Sequence, residues 1–261
     1  MVRRFLRLRK EIRMDDDINA IHYSKNSAFQ KSVAINIFDI HKFIDDEKIL
    51  DVGCGDGYIS SLMSDMGTVI GIDQSGNMID YAKTKYSSNN LRFENSKIEE
   101  YSNEYGFSLI TAFNSIYWCM DTASVISKIF RLLISDGKLL IVTYPKESPY
   151  WSPFVQVLAS DKWKHRAANS VFQNWLSEQE YKDAFVKSGF ELSLSEAKFE
   201  TIKYSNNEEF KDYVKGWIPC LLKANQEEQS EFVDDVFALA SNDRGEVIIE
   251  YKKLMMYGIK P

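Results

Sequence analysis

Cysteine, proline and histidine are scarce in this 261-residue chain, and long apolar runs are missing altogether. The three cysteines (Cys54, Cys119 and Cys220) are far apart and form no CxxC pair. That excludes a disulfide framework or a zinc site, predicts that no metal is held, and suits a reducing, cytoplasmic setting. No stretch reaches the roughly 18 consecutive apolar residues of a membrane-crossing helix, so stable membrane insertion is not expected. Five prolines and 12 glycines rule out collagenous and low-complexity chains. With 44% hydrophobic and 27% charged residues, the composition is that of a globular protein with a substantial core.

The formal charge of −6 is unevenly spread. Residues 1–14 carry Arg3, Arg4, Arg7, Arg9, Lys10 and Arg13 against Glu11 alone, a sum of +5 that leaves −11 for residues 15–261. An acidic body does not suit a phosphate-backbone binder, so nucleic acid is not an expected partner. The basic head reads as a disordered extension. Phe5, Leu6, Leu8 and Ile12 leave open an amphipathic helix lying on a membrane surface, whereas no apolar segment follows that would make it a secretory signal.

Beyond the head, the spacing of Ala28, Phe29, Val33, Ile37, Ile40 and Ile44 predicts one helix over 26–44. Short apolar runs at 48–53, 68–73, 91–95, 108–114 and 138–144 alternate with helical patterns at 58–66, 77–86 and 122–134. Buried strands alternating with helices predict a parallel α/β sheet covered on both faces. Residues 145–176 are irregular and aromatic, with Pro145, Pro149 and Pro153 among Trp151, Phe154, Trp163, Phe172 and Trp175. A helix over 177–188, a strand near 190–195, a mostly helical stretch over 203–244 and a strand over 247–260 complete the chain. With neither an internal repeat nor a linker, residues 15–261 read as one domain, its insertions at about 145–176 and 203–244 forming a substrate lid.

The segment that carries chemistry is Ile49-Leu-Asp-Val-Gly-Cys-Gly-Asp-Gly57. A strand ends and glycines follow at 53, 55 and 57 before a helix; glycine lets a ligand approach the backbone, and the first helical amides are free donors. Asp73 ends the next strand, 20 residues after Gly53, a spacing that suits a carboxylate accepting from ribose hydroxyls. The dinucleotide fingerprint is G-x-G-x-x-G, not the G-x-G-x-G seen here. Asp51 beside the loop would repel a pyrophosphate and favour a cationic ligand carrying an α-amino group.

ILDVGCGDG followed by GIDQSGNMI resembles the first two motifs of class I S-adenosylmethionine-dependent methyltransferases, and the likeness continues through FSLITAFNSIYW and ISDGKLLIV to cover residues 20–145. It implies a Rossmann-like, mostly parallel seven-stranded sheet with helices on both faces and helical lid insertions. Tyr23 and Gln30, NSIYWCMD (114–121) and YVKGWIPCLL (213–222) look like the small-molecule carboxyl methyltransferases acting on trans-aconitate, juvenile-hormone acid or the malonyl carrier protein.

The resemblance implies that Gly53, Gly55 and Gly57 line the methionine part of S-adenosyl-L-methionine, with Asp51 near its amino group and Tyr23 and Gln30 at its mouth. It places Asp73 on the ribose, Gln74 and Met78 beside the adenosine, and Ser96, Lys97 and Ile98 at the adenine edge. Many members have an Asp where Lys97 stands, so adenine recognition here would lean on the Ile98 amide. Asn114 would close over the sulfonium. Asn114-Ser-Ile-Tyr lacks the prolines of the DNA adenine methylase motif, which disfavours amino methylation of DNA.

A carboxylate acceptor is already ionised near pH 7 and needs no general base. Of three histidines, His41 and His165 read as structural, and His22 beside Tyr23 is the one catalytic candidate. Trp118, Trp151 and Trp217 are candidate walls of the acceptor pocket, with core packing as the alternative. Arg166, in Lys162-Trp-Lys-His-Arg166, is a candidate carboxylate clamp, with a solvated face as the alternative. The expectation is methylation of a small molecule, with O-methylation of a carboxylate as the leading reading. The alternatives are a hydroxyl or amine acceptor, or cofactor binding without catalysis.

Overall fold

A computed structural model of the chain describes residues 20–35, 37–44, 46–86, 88–166, 175–218 and 222–261. The basic head, residues 167–174 of the first insertion and Cys220 lie outside the described residues. Seven strands form one sheet: β1 (Glu47–Val52), β2 (Gly67–Asp73), β3 (Leu91–Asn95), β4 (Phe107–Phe113), β5 (Leu133–Thr143), β6 (Glu191–Tyr204) and β7 (Val247–Ile259). Their order is β3-β2-β1-β4-β5-β7-β6, with β7 antiparallel to both neighbours and every other pairing parallel. The sheet is therefore mostly parallel and seven-stranded, as its sequence resemblance implies. The chain reverses its winding between β1 and β4, and the carboxyl ends of strands at such a switch form a crevice where ligands bind.

The buried strand sequences explain the layering. Leu50, Val52, Ile110 and Leu139 face one apolar layer, which includes α6 (Thr122–Leu132) and α8 (Glu178–Ser188). Ile49, Val69, Leu109 and Leu140 face another, with α4 (Tyr58–Met63). The fold on the β2–β3 side is completed by α5 (Gly76–Lys85), capped by the Ser75 hydroxyl accepting from the Met78 amide. Among the described residues, no helix is long and apolar enough to cross a membrane.

Four local expectations are corrected. The predicted 26–44 helix starts earlier and is broken into α1 (Ala20–Asn26), α2 (Ala28–Ile35) and α3 (Ile37–Ile40). It ends at Ile40 because His41 turns inward. Its Nε2 lies 2.9 Å from the Glu47 carboxylate and its Nδ1 2.9 Å from the Tyr257 hydroxyl, pinning the entry of β1 to the end of β7. His41 is thus structural, but in a buried turn rather than on a surface helix. The strand predicted at 138–144 begins earlier, at Leu133, and runs through Asp136 at φ +60°. Asp136 makes an irregularity inside β5, where pairing with β4 shifts between Phe107 and Leu109. Finally, β6 runs nine residues past the strand predicted near 190–195, to Tyr204, because β7 offers a partner along its whole length.

The two insertions form a separate aromatic layer over the carboxyl ends of β4 and β5. It holds α7 (Ser152–Leu158), α9 (Asn207–Val214) and α10 (Gln226–Ala240), built around Trp151, Phe154, Phe210, Trp217 and Phe232.

Candidate ligand-binding site

The glycine loop leaves β1 at the switch point. Gly53 and Gly57 both take left-handed φ values, +71° and +79°. At Gly53 a Cβ would stand 2.3 Å from the Ser115 Cβ, and at Gly57 2.6 Å from the Phe93 ring, so no other residue fits either position without displacement. The amides of Gly53 and Cys54 both donate to the Ile72 carbonyl (2.8 and 3.0 Å), which locks the loop to β2.

Not every amide is left for a ligand. Gly55 N–H donates to Asp73 Oδ2 (2.9 Å) and Tyr58 N–H to Asp56 Oδ1 (3.2 Å). Asp73 Oδ1 accepts from the Ser75 amide (2.8 Å). Asp73 therefore ties the glycine loop to the start of α5, which fixes its carboxylate at the end of β2.

Asp51 is 2% exposed. Its two oxygens accept from Ser60 Oγ (2.6 Å) and Thr111 Oγ1 (2.8 Å). Burial dominates these bonds and raises the carboxyl from 3.8 to about 6, with the nearby Asp73 charge adding to the rise. The Cys54 thiol is pushed well above its ordinary value by burial and by the surrounding Asp73, Asp51 and Asp56, so it stays a protonated filler.

Asp51 and Cys54, though not Asp73, line a cleft of ≈ 410 Å³, open mouth included, between the glycine loop and the α1–α2 segment. It brings together Tyr23, Gln30, Asp51, Gly53, Gly55 and Asn114 from the sequence expectations, with Ser27, Lys31, Asp56, Ile59 and Phe113 besides. Asn114 adopts φ +52°, a strained value for a non-glycine residue, held by its amide donating to the Val142 carbonyl (2.9 Å). Gln30 Oε1 and Asn114 Oδ1 are buried without a partner among the described residues. Two orphan acceptors beside a carboxylate fit a ligand group that brings N–H donors and positive charge.

Lys31 was missed in the sequence because a lysine on an amphipathic helix reads as solvated by default. Its Nζ contacts Asp56 Oδ2 at 2.7 Å and the Ser24 carbonyl at 3.0 Å, and lies 4.9 Å over the Tyr58 ring. It clamps α1 and α2 onto the glycine loop.

The remaining expected contacts lie outside the lining of that cleft. Gly57 caps α4, and Gln74, Met78, Ser96, Lys97 and Ile98 follow the ends of β2 and β3. Ser96 N–H donates to the Asp73 carbonyl (3.0 Å), and Asn95 Nδ2 bridges the carbonyls of Asp73 and Gln74. Met78 and Ile98 are buried. Trp118, Trp151 and Trp217 come together in the aromatic layer, Trp151 centred 6.2 Å from Trp118 and 5.8 Å from Trp217. Arg166 does not join them. Its guanidinium is half exposed and paired with Glu228 of α10, while Lys162 pairs with Glu231 and Asp235, so this basic run behaves as a solvated face. His22 lies on α1 with its side chain outside the described residues. Among the described residues no group of His, Cys, Asp and Glu could hold a metal.

A methyltransferase-domain family matches residues 44–214, from the start of β1 through α9. A viral protein of Invertebrate iridescent virus 6, named as methyltransferase 235L, is 31% identical over 179 residues, 66% of each chain. The malonyl-[acyl-carrier protein] O-methyltransferase of Acetivibrio thermocellus is 29% identical over 141 residues, 52% of this chain and 50% of that one. The juvenile hormone acid O-methyltransferase of Bombyx mori is 25% identical over 206 residues, 71% and 73% respectively. This chain thus spans about two thirds of the viral relative's length and half of the bacterial one's. Among solved structures, phosphoethanolamine N-methyltransferase 2 of Haemonchus contortus, in complex with S-adenosylhomocysteine, shares the fold. Its TM-score is 0.61 at 17% identity, with 94% of this chain and 58% of that one covered. A family match across most of the sheet, meeting a glycine loop, Asp51 and Asp73 at the switch point, leads to one conclusion: the chain belongs to the methyltransferase-domain family of class I, S-adenosylmethionine-dependent proteins.

Proposed function

We propose that the chain transfers a methyl group from S-adenosylmethionine to an oxygen of a small carboxylic acid. The observation that carries the cofactor half is the cluster of buried oxygen acceptors, Asp51, Gln30 Oε1 and Asn114 Oδ1, in one cleft with a single lysine. A methionine moiety is a zwitterion, and the cleft offers each end a counterpart: acceptors for the ammonium group and, for the carboxylate, the third N–H of Lys31 beside those given to Asp56 and Ser24. Asp73, held at the end of β2 by the Gly55 and Ser75 amides, is the carboxylate assigned to the ribose hydroxyls.

The cofactor supplies an electrophilic methyl group on its sulfonium. The acceptor oxygen forms a bond to that carbon as the carbon–sulfur bond breaks, giving a methyl ester and S-adenosylhomocysteine. An ionised carboxylate supplies its own electron pair, so what the protein contributes is alignment and exclusion of water. The described histidines agree with a reaction that needs no base. His41 is locked between Glu47 and Tyr257 at the entry of β1, the end of the sheet opposite the cleft, and His165 is exposed on the outer turn.

Calorimetric titration with S-adenosylmethionine and, separately, NAD tests the reading. Binding of the first alone is the expected result. Binding of NAD instead, or of neither, would refute it.

A further inference from the structure

Resting on that reading, we propose that Tyr144, Trp151 and Trp217 form the oxygen-binding subsite for the methyl acceptor, and that this acceptor is a monocarboxylate on an apolar body. Tyr144 directly follows β5, Trp151 closes the turn before α7, and Trp217 follows α9. All three are more than nine-tenths buried, yet the Tyr144 hydroxyl and both indole Nε1 atoms have no hydrogen-bond partner among the described residues. An indole N–H can only donate, and a buried donor without an acceptor is costly. Three such groups in one cluster therefore call for a ligand that brings oxygen lone pairs.

They are close enough to serve one ligand. The ring centres of Tyr144 and Trp217 lie 6.3 and 5.8 Å from that of Trp151, both near perpendicular. They also adjoin the cofactor cleft by two routes. Ser115, whose hydroxyl donates to the Val52 carbonyl at 2.6 Å, packs against Gly53 and leads within one short turn to Trp118, 6.2 Å from Trp151. On the other side, Tyr23 of the cleft packs against Gly216, next to Trp217.

The charge pattern narrows the ligand. Four of the lid's cations are committed elsewhere: Lys162 to Glu231 and Asp235, Lys164 to Asp161, Arg166 to Glu228, and Lys211 to Asp234. Neutral donors satisfy one carboxylate, whereas a di- or tricarboxylate would need fixed cations. An ammonium ion would leave both indole donors unmet. The remaining wall, with Tyr117, Trp118 and Phe154, is aromatic, which matches an apolar body rather than a polar one.

All five tryptophans belong to this layer or pack against it, so intrinsic fluorescence reports its occupancy. The protein, saturated with S-adenosylhomocysteine, is titrated with decanoate, decylammonium and citrate. Decanoate should change the emission, and the other two should not at matched concentration. Calorimetry then compares variants: Tyr144→Phe deletes only the hydroxyl, and Trp217→Phe removes the N–H but keeps an aromatic wall. Each should weaken decanoate about tenfold while S-adenosylhomocysteine affinity stays within twofold. Equal binding of decanoate and decylammonium, or unchanged decanoate affinity in both variants with S-adenosylhomocysteine still bound, would overturn the subsite and leave the cofactor reading standing. Failure to bind S-adenosylhomocysteine would overturn the cofactor reading and the subsite with it.

Discussion

Asp51→Asn should make the ligand-free protein more stable and its cofactor binding worse. Raising a buried carboxyl from 3.8 to about 6 means that the folded state pays to keep it ionised, by about 3 kcal/mol at pH 7.5. An asparagine removes that penalty. Part of the gain is offset, because the hydroxyls of Ser60 and Thr111 exchange a charged acceptor for a neutral amide. The net is on the order of 2 kcal/mol, or about 4–8 °C in Tm for a domain of this size. The sign fixes the pH window. Since the folded pKa lies above the unfolded one, the native carboxyl is unpenalised below about pH 4 and loses stability as pH rises through about 6. The difference between variant and parent should therefore be largest above pH 7 and vanish towards pH 4, as read by thermal unfolding at several pH values. A cofactor ammonium near Asp51 would draw its pKa back down, so calorimetry near pH 6 in buffers of different ionisation enthalpy should show proton release for the parent and none for the variant. Lower stability of Asp51→Asn at every pH would refute the reasoning, because it would mean that Ser60 and Thr111 outweigh burial.

Asp73→Ala should weaken S-adenosylmethionine by roughly 1.5–3 kcal/mol, since it removes a charged acceptor and unties Gly55 from α5; unchanged affinity in calorimetry would displace the ribose site. Gly53→Ala drives a Cβ to 2.3 Å from Ser115 in a left-handed backbone, so cofactor affinity should fall more than tenfold and Tm should drop. Lys31→Met should weaken the cofactor about tenfold, and it should also make the α1–α2 segment more susceptible to limited proteolysis, because it releases Asp56 and Ser24 together.

The parts legible in the sequence were those whose cause is local. Strands β1 and β4 are short apolar runs buried on both faces, and the β1–loop–α4 turn announces itself through glycines that only a left-handed backbone demands. Asp73 could be placed by counting, because one helix separates β1 from β2. What escaped depends on distant partners. The 26–44 pattern looks like one helix until His41 finds Glu47 and Tyr257, the latter 216 residues away. The length of β6 is set by β7, and the two are separated by the whole of α9 and α10. Lys31 and Arg166 show the same limit: a lysine that reads as solvated reaches into the cleft, and an arginine whose sequence allows a clamp or a solvated face is occupied by Glu228. No sequence period distinguishes the two cases.

The position of β7 bears on how the molecule assembles. It lies between β5 and β6, and β6 meets the sheet through β7 alone. Pairing with β5 uses only Leu254–Ile259, whereas Val247–Lys253 pair with β6 beyond the end of β5 and form a two-stranded arm. The excursion between these two strands carries α9, α10 and Trp217, so it is anchored at both ends to that arm. Strands β1 to β5 pair across at most about 60 residues, Ile49 with Leu109, but β7 docks on β5 across more than 100, Thr143 with Leu254, and such non-local contacts form slowly. During folding, β5 therefore remains an open edge with its hydrogen-bonding groups exposed, a template for pairing between chains until β7 docks. The glycine-loop half can be built while the aromatic layer is still unmade, and the last strand to insert decides whether a folding intermediate goes on to the native sheet or sticks to its neighbour.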